Sequence, residues 1–195
     1  MITNFSTSSI RTGVKRKRFW DQSAVANSFF SITTTTLSSA QSSIEFSNIP
    51  QTYTHLQIRG IARSTNATNG DYIYVQFNSD TGNNYTYHQL SGDGASATSA
   101  AGTSQAGAGT PRISAGSDTA SVFGGVIIDI LDYRDTNKYK TIRTIGGYDN
   151  NGSGVVRLTS GIWLNTSAVT SIVIKSGNAG NLAQYSSLAL YGVLA

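Results

Sequence analysis

Apolar and polar residues alternate with a period of two along much of the chain. In residues 72–78, the apolar side chains Ile73, Val75 and Phe77 alternate with tyrosine and glutamine. Residues 53–63 show the same alternation of apolar and polar positions. Because successive side chains of a strand point to opposite faces, this pattern predicts half-buried β-strands.

Ten such segments occur, and clusters of Asn, Asp, Gly and Ser separate many of them. We predict strands in residues 24–31, 42–49, 53–63, 72–78, 85–90, 121–133, 139–148, 154–163, 169–175 and 184–193. The clusters between them supply the backbone angles that turns require. No amphipathic helix of useful length interrupts the series. The pattern therefore predicts an all-β protein, with an antiparallel β-sandwich of jelly-roll type over residues 24–195.

One long segment lacks this pattern. Residues 91–111 consist mostly of Ser, Gly, Ala and Thr, and only Asp93 is charged. Without a core-forming side chain, the segment is predicted to be a long, low-complexity loop. Such a loop is either mobile or packs closely against another subunit, and the sequence leaves both alternatives open.

The positive charge of the chain is concentrated at its beginning. The 195 residues carry 14 Lys and Arg against 10 Asp and Glu, which gives a net charge of +4. The first twenty residues contain five basic side chains and no acid; these are Arg11, Lys15, Arg16, Lys17 and Arg18. The nine basic and ten acidic residues in 21–195 give that part a charge of −1. The basic character thus belongs to a short segment, and the rest of the chain is nearly neutral.

Two aromatic residues, Phe19 and Trp20, directly follow the basic run. Large aromatic side chains and arginine are enriched at protein interfaces. We therefore expect residues 1–23 to form an extended attachment arm that docks on a partner protein. Contact with nucleic acid and a solvated tail are the alternatives, and both are less favoured.

Composition excludes several classes of protein. The chain has no cysteine, which rules out disulfides and cysteine-ligated zinc. The longest apolar run, residues 126–131, is far too short to span a membrane. Residues 1–10 are polar, so we expect no secretion signal there.

The sequence offers few residues that could catalyse a reaction. The two histidines, His55 and His88, lie on polar strand faces, and no nucleophile elbow or phosphate-binding loop occurs. Three acids near a strand end, Asp129, Asp132 and Asp135, suit acid–base work or a cation, but ion pairs and turn hydrogen bonds are favoured. Residues 149–153 match only the first half of a calcium loop. We expect no enzyme activity, no cofactor and no metal.

Exposed aromatic residues are the better indication of a ligand. Tyr72, Tyr74, Tyr85 and Tyr87 come from two consecutive predicted strands, and Trp163 precedes a turn. We predict that these side chains form one outer face, which would suit stacking on sugar rings. A cross-strand aromatic ladder, or a face buried between subunits, is the favoured alternative.

Several segments resemble virion proteins of tailed bacteriophages. They are residues 46–63, 77–85, 87–88, 128–133, 137–141, 160–163 and 185–193, and the resemblance covers roughly residues 42–193. Residues 12–21 also resemble the start of such proteins. None of these segments is a catalytic signature. Proteins of this kind are described as structural, tail-fibre or head-decoration proteins.

The resemblance implies a structural subunit of a tailed-phage virion. The protein would be capsid-decorating or tail-attached, located in the phage particle and anchored to other virion proteins by its arm. A homo-oligomer is expected, with a trimer as the favoured symmetry by analogy with the class. The alternative is a fibre-type module that recognises glycans on the host surface.

Overall fold

A computed structural model describes residues 28–194, and within that range it contains twelve strands and no helix. The strands are β1 (Phe29–Thr36), β2 (Ser43–Phe46), β3 (His55–Ala62), β4 (Asp71–Phe77), β5 (Tyr85–Gly92), β6 (Ala97–Gln105), β7 (Arg112–Ile113), β8 (Gly124–Leu131), β9 (Lys140–Asp149), β10 (Gly154–Trp163), β11 (Ile172–Ser176) and β12 (Ser187–Val193). The all-β prediction is confirmed. Within the described range, no helix is long and apolar enough to cross a membrane.

The strands form two sheets. The large sheet has eight strands in the order β1-β12-β3-β8-β9-β10-β5-β6, and the small sheet has four in the order β2-β11-β4-β7. Neighbouring strands are antiparallel in both sheets, as predicted. Consecutive strands often alternate between the sheets, which brings distant parts of the chain side by side.

Apolar side chains from both sheets make one core. Ile73 and Val75 of β4, in the small sheet, are fully buried, as the alternation predicts. Ile128 and Ile130 of β8, in the large sheet, belong to the same buried cluster. The removal of these side chains from water stabilises the sandwich-like pairing of the sheets.

The prediction of a loop over residues 91–111 is wrong, because residues 97–105 form strand β6. The carboxylate of Asp93 accepts the amide hydrogens of Ala95 at 2.9 Å and Ser96 at 2.7 Å, which closes a hairpin turn between β5 and β6. Most residues of β6 are exposed, since the strand lies at the edge of the large sheet. A strand in that position needs no core-forming side chain, so its composition resembles that of a loop.

The first described strand ends later than predicted. It spans Phe29–Thr36, so it overlaps the end of the strand predicted over residues 24–31, and residues 24–27 lie outside the described range. Its C-terminal half is a run of threonines, whose β-branched side chains favour strands. The predicted attachment arm, residues 1–23, lies outside the described residues and stays a prediction.

Candidate functional site

A cavity of about 440 Å³ lies where β4 and β7 of the small sheet meet β5 and β10 of the large sheet. Its wall contains three tyrosines and two arginines, which are Tyr72, Tyr74, Tyr87, Arg112 and Arg157. We call it the tyrosine–arginine cavity. Five tyrosine and tryptophan side chains are predicted to share one face, and this cavity brings three of them together.

Strand alternation explains how these side chains come to the cavity. Tyr72 and Tyr74 alternate with the buried core residues of β4, so they lie on the sheet face turned away from the core. Arg112 is the register partner of Tyr72 on β7. Tyr87 and Arg157 lie on β5 and β10, which are neighbours in the large sheet.

Glycines fix the tyrosine rings. Each ring lies so close to a glycine that an added Cβ would collide with it: Tyr72 with Gly177, Tyr74 with Gly107 and Tyr87 with Gly102. For Gly102, the Cβ would lie 2.7 Å from a ring carbon of Tyr87. The rings are therefore held in place by packing against the backbone.

Neither arginine has an acidic partner among the described residues. Arg157 donates from Nε to the hydroxyl of Ser91 at 2.9 Å and from Nη1 to the carbonyl of Thr110 at 3.2 Å. The Nε of Arg112 is buried and has no hydrogen-bond partner among residues 28–194. No ion pair in the described part of the chain involves either guanidinium. Burial, and then the nearby charge of Arg112, lower the pKa of Arg157.

The tyrosine hydroxyls differ in their partners. Tyr72 donates to the carbonyl of Gly177 at 3.2 Å, and burial, followed by the charge of Asp71, raises its pKa. The hydroxyls of Tyr74 and Tyr87 make no hydrogen bond to any described residue. Two polar groups that line the cavity are therefore available to a ligand.

The prediction that Tyr85 and Trp163 belong to an exposed face is wrong. Tyr85 is 0% exposed and Trp163 is 1% exposed, and their rings stack with centroids 6.3 Å apart. The hydroxyl of Tyr85 accepts the amide hydrogen of Phe77 at 2.9 Å and donates to the carbonyl of Asp80 at 3.2 Å. Although Tyr85 and Tyr87 point to the same side of β5, only the Tyr85 end of that strand covers the core.

A second surface lies on the opposite face of the large sheet. Ile127 pairs with Ile145, Ile145 with Leu158, and Leu158 with Leu90, so four apolar side chains form one row across β8, β9, β10 and β5. They are 36–54% exposed. We call this row, together with the neighbouring Val156, the apolar sheet face. Alternation does not reveal this face, because Ile127 lies within the apolar run of residues 126–131 and not in an alternating pattern.

The three acids and His55, which the sequence singles out, have ordinary structural partners. Asp129 pairs with Arg143 at 2.9 Å, and Asp132 and Asp135 both pair with Lys138, at 2.5 and 3.2 Å. The Nδ1 atom of His55 accepts the amide hydrogen of Asp132 at 2.9 Å. These contacts agree with the favoured alternative, in which the acids form ion pairs. Across residues 28–194, no three His, Asp or Glu side chains come together as a metal site.

The segment that matched half of a calcium loop is the turn between β9 and β10. Asp149 accepts the amide hydrogen of Asn151 at 2.8 Å, and the amide of Asn150 donates to the carbonyl of Ser153 at 2.7 Å. Both contacts are those of a tight hairpin turn. Comparison of the whole chain with protein-family models, with curated proteins and with solved structures finds no match.

Proposed function

We propose that the protein is a structural subunit of a tailed-phage virion that assembles with copies of itself through the apolar sheet face. It would decorate the capsid or attach to the tail, and its N-terminal arm would anchor it to a neighbouring virion protein. The observation that carries the proposal is the row of exposed apolar side chains on the large sheet. The resemblance of residues 42–193 to phage virion proteins supports the particle as its location.

The apolar sheet face has the properties of a buried contact. Single exposed apolar side chains are common on proteins, but a contiguous apolar patch marks an interaction site. Here Ile145 is 46% exposed, and its direct neighbours Leu158 and Leu90, one and two strands away, are 48% and 54% exposed. Sheets pack face to face at about 10 Å through such side chains.

The charge distribution of the described chain favours a second copy of the chain as the partner of the apolar sheet face. Arg143 borders the row, and its charge is paired with that of Asp129 at 2.9 Å. Residues 28–194 contain nine basic and nine acidic side chains, so their formal net charge is zero. A neutral apolar face does not repel a copy of itself, and a closed ring of copies would bury it.

The strand order supports a jelly-roll subunit. If the hairpins β5–β6 and β9–β10 are set aside, the remaining orders are β1-β12-β3-β8 and β2-β11-β4-β7. Two four-stranded sheets in this interleaved order are the arrangement of a jelly roll, a common fold of viral capsid proteins. We infer that the two hairpins are insertions that widen one sheet and create the apolar sheet face.

Charge substitution tests the assembly proposal. The double variant Ile145→Lys/Leu158→Lys places two charges in the centre of the row, and we expect it to sediment as a monomer while wild type sediments as an oligomer. Thr52→Lys/Thr81→Lys adds the same charge at exposed turn positions and should leave the oligomer intact. A monomeric wild type, or equal sedimentation of both double variants, contradicts the proposal. Antibody labelling of purified particles tests their location on head or tail.

The tyrosine–arginine cavity favours a second candidate function, a fibre-type module that recognises host-surface glycans. Fixed aromatic rings with free hydroxyls suit sugars, which present both apolar C–H faces and hydroxyl groups. A glycan array probed with wild type and Tyr87→Ala tests this function. Binding that the variant loses supports it, and the absence of binding by wild type contradicts it. The structural role does not depend on the outcome.

A further inference from the structure

We propose that the tyrosine–arginine cavity binds a sugar that carries a carboxylate, with Arg157 and Arg112 attracting the acid group and the tyrosines holding the sugar ring. The inference rests on the second candidate function and names the class of glycan that the site would take.

The positive charge in the cavity wall is not compensated by a described acid. Three other cations in the described chain have partners in the protein: Lys138 and Arg143 form ion pairs, and Arg63 donates to the carbonyls of Thr119, Val122 and Asp118. Arg157 and Arg112 lie in one cavity wall with no ion pair among the described residues. Two half-buried like charges are costly, and an anion between them offsets that cost.

The geometry of a guanidinium suits a carboxylate. It presents paired N–H groups in a plane, which match the two oxygens of a carboxylate. Arg157 uses Nε and Nη1 for Ser91 and Thr110, and no hydrogen bond from its Nη2 to a described residue is formed. Arg112 is likewise incompletely satisfied, since its buried Nε lacks a partner among the described residues. Two neutral partners thus hold Arg157, and a hydrogen bond with the hydroxyl of Tyr148 holds Arg112, so the protein orients both groups without neutralising them.

Each hydroxyl group of a sugar is both a hydrogen-bond donor and a hydrogen-bond acceptor. Gln89 and Gln105 line the cavity, and each uses one end of its carboxamide: Gln89 accepts from Thr110 at 3.1 Å, and Gln105 donates to the carbonyl of Thr103 at 2.7 Å. The amide group of Gln89 and the carbonyl oxygen of Gln105 remain. Together with the hydroxyls of Tyr74 and Tyr87, they provide donors and acceptors around the cavity.

The cavity suits a carboxylated sugar better than a polyanion. The cavity contains two cations and no lysine, and residues 28–194 have no net charge. Nucleic acids are usually bound by a broad array of basic residues along the phosphate backbone. The volume of about 440 Å³ falls within the range of small-molecule sites. One or two sugar units with a single acid group fit this description better than a strand of phosphates.

Paired oligosaccharides test the inference. Cellotriose and its counterpart oxidised to a carboxylate at C6 differ only in the acid groups, and titration calorimetry with the full chain measures both. We expect the acidic trisaccharide to bind at least tenfold more tightly, with an affinity that falls as salt is added. Arg157→Gln should abolish this preference. Arg134→Gln removes an equal charge from an exposed arginine outside the cavity and should leave the preference unchanged.

The other outcomes of these titrations show which part of the proposal is wrong. Equal affinity for both trisaccharides overturns the carboxylate specificity but leaves a glycan-binding module. No binding of either sugar, together with a negative glycan array, overturns the module as well. If acetate alone binds as tightly as the acidic trisaccharide, the sugar is not recognised. Tyr87→Phe keeps the ring and removes a hydroxyl without a described partner, so its expected severalfold loss of affinity tests the site even if Arg157→Gln fails to fold.

Discussion

Trp163 donates its indole N–H to the carboxylate of Asp80 at 2.7 Å, and this bond ties the turn after β4 to the largest buried side chain of the described core. Asp80 also accepts hydrogen bonds from the amide of Gly82 at 2.9 Å and the side chain of Asn84 at 3.0 Å. One carboxylate thus organises the turn from within and attaches it to β10. The contact links the small sheet to the large one.

Asp80→Asn should make the protein less stable at neutral pH and less sensitive to acid. Burial acts to raise the pKa of Asp80, but the hydrogen bonds from Trp163, Asn84 and Gly82 outweigh it, so the pKa lies below its usual value of 3.8. The stabilisation is therefore complete well above pH 3.8 and is lost as pH falls through the lower folded-state value. We expect a loss of about 1 kcal/mol at pH 7 for the charge-assisted hydrogen bonds.

Urea unfolding at pH 7 and pH 3 measures both effects. Glu45→Gln, at an exposed position of β2, is the control and should leave the two curves unchanged. An acid-induced loss of stability as steep in Asp80→Asn as in wild type would show that other carboxylates dominate.

Tyr85→Phe should destabilise the fold and reduce its sensitivity to alkali. Burial raises the pKa of Tyr85, so the folded chain keeps the phenolic proton when the unfolded chain loses it near pH 10. The stability from this group is complete below that pH and falls as pH rises above it. The substitution leaves the amide of Phe77 without its acceptor, which costs about 1–3 kcal/mol.

Thermal or urea unfolding between pH 8 and pH 11 tests this expectation. Tyr139→Phe removes a hydroxyl from a side chain that is 54% exposed, and it should behave like wild type. If Tyr85→Phe is as stable as wild type at pH 8, the Phe77 amide finds another partner.

Lys140→Met should lower stability more than Lys138→Met. The side chain of Lys140 is fully buried, and its ammonium donates to the carbonyls of Asp135 at 2.5 Å, Lys138 at 2.8 Å and Thr166 at 2.9 Å. Methionine has a similar shape but no donor, so three carbonyls lose a partner, at a cost of about 3 kcal/mol.

The pH dependence of Lys140 has the opposite sign to that of Tyr85. Burial lowers the pKa of Lys140, so the folded chain releases this proton before the unfolded chain does. Its contribution to stability consequently rises with pH up to about 10.5, the usual lysine value. Comparison of Lys140→Met with Lys138→Met across this range isolates the effect. Equal losses at pH 7 for the two variants would contradict a special role for the buried amine.

Deletion of residues 1–20 should prevent incorporation into particles without unfolding the sandwich. The deleted segment contains all five basic residues of the predicted arm, and the twelve described strands begin beyond it, at Phe29. Quantitative mass spectrometry of purified particles measures occupancy, and circular dichroism of the soluble protein measures the fold. Wild-type occupancy of the truncated chain would disprove the anchoring role.

Gly102→Ala should weaken sugar binding while keeping every polar group of the cavity. The added methyl group would lie 2.7 Å from the ring of Tyr87 and 3.2 Å from the carboxamide of Gln105, so both must move. Gly92→Ala on neighbouring β5 meets only Ser96, at 3.9 Å, and is the matched control. Calorimetry with the acidic trisaccharide should show a severalfold loss for the first variant alone.

The sequence predicts the strands of the sandwich well where one face is buried and the other polar. In β4, alternation correctly identifies Ile73, Val75 and Phe77 as core residues. It fails for β6, whose small residues carry no periodic signal because the strand lies at an edge. It also fails for β7, which is only two residues long.

The candidate site is predictable in part. Alternation places Tyr72 and Tyr74 on the non-core face of β4. Tyr87 lies on the same side of β5 as the buried Tyr85 but beyond the core, and the structure brings all three tyrosines to one cavity. The contribution of Arg112 and Arg157 depends on which distant strands meet, and periodicity holds no information about that pairing. Tyr85 is misplaced for the same reason, since its depth in the core depends on how far β5 overlaps the small sheet.

The position of β12 has a consequence for synthesis. Ser187–Val193 lies between β1 and β3 and pairs with both, so the first strand of the large sheet has no neighbour until the last has left the ribosome. β2 in the same way waits for β11. Such distant pairings fold slowly, and their apolar strands stay exposed in the meantime. The nascent chain therefore closes its core only after β12 has been synthesised, and chain termination before β12 yields an aggregation-prone product.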